Sequence, residues 1–134
     1  MAMLGAAGHR VTDMGTDSAE SCDYPDYAER VAAAVSAGEA DRGVLLCATG
    51  IGMDIAANKF PRVRAAVVWD RVTTEVSRTH NDANILCLGA RVLPLPVLLD
   101  LVRHWLTVPF TGGRHLRRVE KIRQIEQRTM RGGR

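Results

Sequence analysis

The chain has 134 residues, 46% hydrophobic and 25% charged, a balance and length that suit one globular domain over residues 1–134 built on one core. No apolar run approaches the roughly 20 residues of a membrane span, and Met1 to Gly8 lacks a basic stretch leading into an apolar one, so neither a membrane partner nor a signal peptide is expected and the expected location is cytoplasmic. The net charge of +3 is uneven: from Arg114 onward seven arginines and one lysine face only Glu120 and Glu126, a tail that suits an acidic neighbour, a phosphate or simply a solvated helix face.

In chain order, Met1 to Gly5 reads as the end of a helix, and His9 to Asp13 as a short strand. Asp23-Tyr24-Pro25 starts a helix, since proline suits a first turn and an aspartate before it can cap; Ala28, Val31, Ala32 and Val35 recur at helical spacing, and Gly38 ends the segment. Gly43 to Ala48 is a continuous apolar run, as expected of a buried parallel strand. Thr49 to Gly52 forms a tight turn into a helix from Met53 to Lys59, stopped by Pro61. A strand over Val63 to Trp69, a helix over Arg71 to Thr79 and a buried strand over Ala83 to Leu88 follow. Pro94 to Thr107 is an apolar helix, Gly112-Gly113 a hinge, and His115 to Met130 a long last helix. The alternation predicts an α/β fold with a parallel sheet covered by helices.

Chemistry concentrates at Cys47-Ala48-Thr49-Gly50-Ile51-Gly52-Met53, where a buried strand ends and a helix opens, the place at which open α/β sheets bind ligands. Glycines there let backbone N–H groups converge on an anion, either a phosphate or the oxyanion of an enediolate. A thiol beside such a nest is activated toward thiolate and can take a proton α to a carbonyl; equally, a strand cysteine is often an inert small hydrophobe. His80-Asn81 can move protons and hold hydroxyls, or form a helix C-cap with Asn81 left-handed. Arg114 and Arg118 lie four apart on one helix face, which suits a phosphate clamp or equally a solvated face, and Arg91 follows the strand after Gly89. His9 and His104 read as structural, as do Cys22 and Cys87. The unpaired cysteines and the absence of CxxC or HExxH spacing argue against a disulfide framework and a structural zinc. With 4% aromatics there are few platforms for stacking bases, and no nucleic-acid-reading motif is present, so no nucleic-acid partner is expected.

Four stretches in order, DYPDYA (Asp23 to Ala28), LLCATGIGMDIAANKFPRVRAA (Leu45 to Ala66), SRTHNDANILCLGARV (Ser77 to Val92) and GGRHLRRVEKIRQIEQ (Gly112 to Gln127), resemble the family of type B ribose-5-phosphate and galactose-6-phosphate isomerases. The resemblance implies a doubly wound, Rossmann-like three-layer domain, forming a homodimer or dimer of dimers with shared active sites, the helix over 114–130 packing on a partner subunit. It implies an aldose–ketose isomerase that needs no metal or organic cofactor. Cys47 matches the base, Thr49 a residue that helps open the sugar ring, Gly50 and Gly52 the anion hole, His80 the ring-opening acid/base with Asn81 beside it, Tyr24 a substrate contact, and Arg91, Arg114 and Arg118 the phosphate ligands. The implied substrate is ribose 5-phosphate, with allose 6-phosphate, galactose 6-phosphate or a tetrose phosphate as alternatives, or a non-catalytic sugar-phosphate-binding subunit. Family members also begin with a central strand bearing an Asp-His pair. This sequence does not show it, and about 20 residues, one strand and part of a helix, are expected to be missing. A chain without that strand is expected to be less stable and less active than one that carries it.

Overall fold

The structure, a computed structural model, describes residues 1–130. Its elements are α1 (Ala2–Ala6), α2 (Tyr24–Ser36), β1 (Gly43–Cys47), α3 (Ile51–Ala57), β2 (Ala65–Val67), α4 (Arg71–Thr79), β3 (Ile85–Gly89), α5 (Leu95–Thr107) and α6 (Arg114–Met130). The three strands form one parallel sheet in the order β1-β3-β2, with Gly43 opposite Ile85, Cys47 opposite Gly89 and Ala65 also opposite Ile85. Strand β3, buried at every position, is the centre on which both faces pack.

Each sheet face carries its own helices. On one, Ala28, Ala32 and Val35 of α2 and Met53 and Ala57 of α3 close over Leu45, Ile85 and Cys87. On the other, Leu98, Leu101, Val102 and Trp105 of α5 close over Leu86 and Leu88, with Met3 and Leu4 of α1 at the margin. Burying each of the large β3 and α5 side chains contributes ~1.5–3 kcal/mol. The layers are helix, sheet, helix, as the apolar runs predict. His104 ties α4 to α5, its Nε2 3.2 Å from Glu75 Oε2 and its Nδ1 3.2 Å from Arg71 Nη2, the structural role expected of it.

Several boundaries differ from the expected ones. His9 to Asp13 is exposed coil rather than strand: none of the three strands pairs with it, and an isolated extended segment has no ladder to hold it. The strands at Val63 to Trp69 and Ala83 to Leu88 are shorter or shifted, to Ala65–Val67 and Ile85–Gly89. The reason for the first lies at the sheet edge. Asn58 uses its side-chain amide as a strand would: Oδ1 accepts from Ala65 N–H at 2.9 Å, and Nδ2 donates to Ala65 O at 3.0 Å. The next outward N–H, that of Val67, faces the Asp54 carboxylate, whose pKa is raised by burial and pulled back by that hydrogen bond. Helix α3 thereby occupies the free edge of β2. The β1 edge is different: it is unpaired among the described residues, and Val44 and Leu46, opposite Leu86 and Leu88, stay exposed.

Helix α2 begins at Tyr24 with Pro25 in its first turn and Asp23 at the N-cap, as expected, but Asp23 makes no side-chain capping bond. At its other end Gly38, at φ 77°, permits a double closure: Gly38 N–H donates to Val35 O at 3.1 Å and Glu39 N–H to Ala34 O at 2.9 Å.

Candidate active site

Strand β1 carries Cys47 to the carboxyl edge of the sheet. Gly50 then adopts φ 83°, which turns its N–H back onto Cys47 Sγ at 3.1 Å. Such a donor stabilises negative charge that develops on the sulfur. Thr49 Oγ1 accepts from Ile51 N–H at 3.3 Å and stands exposed at the rim. Helix α3 starts at Ile51, two residues before the expected Met53, because the left-handed Gly50 already completes the turn. Gly52 therefore sits in the first helical turn and not in the preceding loop. Its N–H and that of Met53 have no intrahelical acceptor and remain available to an anion. Gly52 has a second role that its sequence position does not reveal: the Tyr24 ring occupies the space that a Cβ would fill. Tyr24 is thereby brought from the start of α2 to the start of α3.

The end of β3 locks this turn in place. Ala90 N–H donates to Cys47 O at 2.8 Å and Arg91 N–H to Ala48 O at 3.0 Å, so the backbone of Arg91 belongs to the same edge. Gly89 approaches so closely that a Cβ there would lie 2.7–2.8 Å from the Thr49 backbone. Gly89→Ala is expected to push Thr49 and Gly50 outward, lowering stability by ~1–3 kcal/mol in denaturant titration and depressing turnover with it. Unchanged values of both would show that the close approach does not set the turn.

A second group gathers at the opposite edge. His80 caps the C-terminus of α4, which runs antiparallel to the strands, and is exposed. Its ring stacks on His115 of α6, centroids 4.0 Å apart and planes 13° from parallel. Thr111 N–H and Oγ1 both donate to Thr79 O, at 3.3 and 2.8 Å, fixing the approach to α6. Desolvation, followed by the charges of His80, Arg114 and Arg118, holds His115 below the usual histidine pKa. The exposed Arg114 and Arg118 lie on this same end of α6, which begins at Arg114. Asn81 lines a cleft between β2 and α6 together with Arg64, Ala83, Ile122 and Glu126. It is not the left-handed residue of the turn; that is Asp82, at φ 48°.

The structure thus joins Tyr24, Cys47, Thr49, Gly50, Gly52 and Arg91 at one edge, and His80, Asn81, Arg114 and Arg118 at the other. The two groups are separated by the length of β3, four residue steps or ~13 Å. Among the described residues no three His, Cys, Asp or Glu side chains converge to hold a metal. Four features escaped the sequence reading: the His115 stack, the Gly89 approach, the Asp82 turn and the Tyr24 ring against Gly52. Only His115 had a visible signal, its place between Arg114 and Arg118 just past the Gly112-Gly113 hinge.

The family model described as Ribose/Galactose Isomerase matches residues 1–122. Ribose-5-phosphate isomerase B of Escherichia coli K12 is 48% identical over 128 residues, covering 96% of this chain and 86% of that protein. The structure of ribose-5-phosphate isomerase B from Clostridium thermocellum superposes with a TM-score of 0.91 at 51% identity, over 95% of this chain and 86% of that one. The Mycoplasma genitalium ribose-5-phosphate isomerase B structure, described with bound ribulose-5-phosphate, superposes with a TM-score of 0.92 at 38% identity, over 96% and 86%.

Proposed function

The chain belongs to the ribose/galactose isomerase family, and from that premise we propose that it interconverts ribose 5-phosphate and ribulose 5-phosphate. The observation that carries this reading is the Cys47 sulfur held under the Gly50 N–H, at a strand end where the first-turn N–H groups of Gly52 and Met53 await an anion. That arrangement suits a base which removes a carbon-bound proton while adjacent donors hold the oxyanion that forms.

The reaction follows from these parts. His80 delivers a proton to the ring oxygen as the C1 hydroxyl gives its own to water at the exposed rim beside Thr49, and the furanose opens to the aldehyde, with Thr49 and Tyr24 holding hydroxyls. Cys47 as thiolate then takes the C2 proton. The electron pair moves to give a cis-enediolate, whose negative oxygen lies against the Gly50–Met53 donors. The C2 hydroxyl proton passes to O1, the proton held by Cys47 returns to C1, and the ketose forms. Arg91, Arg114 and Arg118 supply the charge for the phosphate at the far end of the sugar, where guanidinium forks match its oxygens. Because the two groups of residues lie at opposite sheet edges, one copy cannot close around one sugar. We assign the complete site to two copies, Cys47 from one and His80 and Asn81 from the other, with α6 reaching across. The half-exposed stripe Leu116, Ile122 and Ile125 on α6, around the buried Val119, supplies an apolar face for that contact.

The test is conversion of ribose 5-phosphate to ribulose 5-phosphate by the purified chain in EDTA. Turnover that survives the chelator supports metal-independent isomerisation. No turnover, by this chain or by one extended to supply an N-terminal strand, would overturn the reading; turnover by the extended form alone would confine it to that form.

A further inference from the structure

The turn bearing His80 and Asn81 is clamped by charge. Arg78, in the last turn of α4, has a side chain only 4% exposed. Its Nε donates to Val108 O at 3.1 Å, and its Nη1 donates to Ala83 O at 2.7 Å and to Asp82 Oδ1 at 2.9 Å. Arg64, just before β2, grips the same turn from the other side, Nε donating to Asp82 O at 2.9 Å and Nη2 to Asp82 Oδ2 at 3.2 Å. Arg42 adds a bond to Ala83 O at 3.2 Å. Asp82 is thus shared by two guanidiniums from different elements, and a third stands close. Burial lowers the pKa of Arg64, and Asp82 is the foremost charge opposing that shift.

The geometry of the turn is itself unusual. Asp82 holds φ 48°, a conformation that costs a non-glycine residue energy and persists where its surroundings impose it. Asp82 N–H donates to Arg78 O at 3.1 Å and Ala83 N–H to Ser77 O at 2.8 Å, so the backbone folds back onto the helix end. His80 and Asn81 lie inside this loop, and among the described residues the His80 ring is oriented by its stack on His115. The placement of both residues is set by what holds Asp82.

We propose that Arg64, Asp82 and Arg78 form a positioning unit for the isomerisation: they impose the left-handed turn and thereby place His80 and Asn81 for ring opening, without touching the sugar. This rests on the isomerase reading above. It makes a separable demand, because ring opening needs His80, whereas the carbon-bound proton transfer needs Cys47 at the opposite sheet edge. Ribose 5-phosphate is held mainly as a furanose and must be opened. Ribulose 5-phosphate has its C5 hydroxyl phosphorylated and is acyclic, so exchange of its C1 hydrogen with solvent uses Cys47 and the oxyanion donors and needs no ring opening.

The experiment compares the full chain with Arg64→Lys and Asp82→Asn, at a temperature where each variant has the parent's circular dichroism. Two rates are read: turnover of ribose 5-phosphate, and deuterium uptake at C1 of ribulose 5-phosphate from D2O. The expected result is aldose turnover lower by ~10-fold or more, with ketose exchange within about twofold of the parent. Loss of both rates together would make the unit a structural brace and overturn the proposal, as would retention of both. Arg64→Lys keeps the charge and loses the planar fork, so it decides the matter if Asp82→Asn fails to fold. Absence of both rates in the parent chain and also in its form extended by an N-terminal strand would overturn the isomerase reading itself, an outcome distinct from parallel loss in the variants alone.

Discussion

Cys47→Ala is expected to lower turnover of ribose 5-phosphate by ~10²–10⁴-fold, with KM within about twofold of the parent. The size follows from what the side chain is asked to do. A positioned base acts only in the transition state, so its loss appears in kcat and in kcat/KM alike. The fold has little stake in the sulfur: Cys47 is half-buried at a strand end, and its backbone is held by the bond from Ala90 N–H to Cys47 O, which alanine keeps. Gly50 N–H loses its acceptor, and at this rim water can take that place. Thermal unfolding of the variant should therefore match the parent, and steady-state kinetics reads the chemistry directly. A variant with parental kcat would place the base elsewhere.

Mixing two inactive variants should restore activity. Cys47→Ala and His80→Asn damage opposite sheet edges, and in a two-copy site each intact site needs Cys47 from one chain and His80 from the other. In a heterodimer of the two variants one site combines both defects and the other has neither. Random reassociation of equal amounts makes half the dimers mixed, so the recovered activity is about a quarter of the parent's. Each variant alone should be almost inactive. No recovery after verified subunit exchange would place both residues in one chain's site, which the ~13 Å of intervening strand would then have to accommodate by movement.

Much of this arrangement is legible in the residues. The apolar run at Ala83 to Leu88 locates the central strand, because a strand buried on both faces dispenses with alternation; the run at Gly43 to Ala48 locates β1 but not its burial, since Val44 and Leu46 stay exposed on the unpaired edge instead of lying in a fully buried strand. Proline and glycine punctuate the helices at Pro25, Gly38, Pro94 and Gly112 to within a residue or two. Even the division of the site is implicit: in a parallel fold a residue that follows a strand, such as Thr49, and one that follows a helix, such as His80, lie at opposite edges. His9 to Asp13 was not legible, because a strand is defined by its partner and a short run of alternating residues carries no record of whether one is present. Nor was the role of Asp82, since an asparagine is the more frequent left-handed residue and only the guanidiniums of Arg64 and Arg78, distant or hidden in sequence, invert that preference. Gly52 was read as a loop glycine; the Tyr24 ring that requires it arrives from 28 positions earlier in the chain, beyond any local pattern.

The two sheet edges give the molecule a direction of growth. At β2, Asn58 and Asp54 already occupy the outward backbone groups, so no further strand can add there. At β1 the ladder is unpaired among the described residues, and the side chains Val44 and Leu46 stand exposed. The sheet is thus like an atom with one valence already filled: a neighbouring strand finds backbone partners beside β1 and none beside β2, and Asn58 and Asp54 decide which side that is.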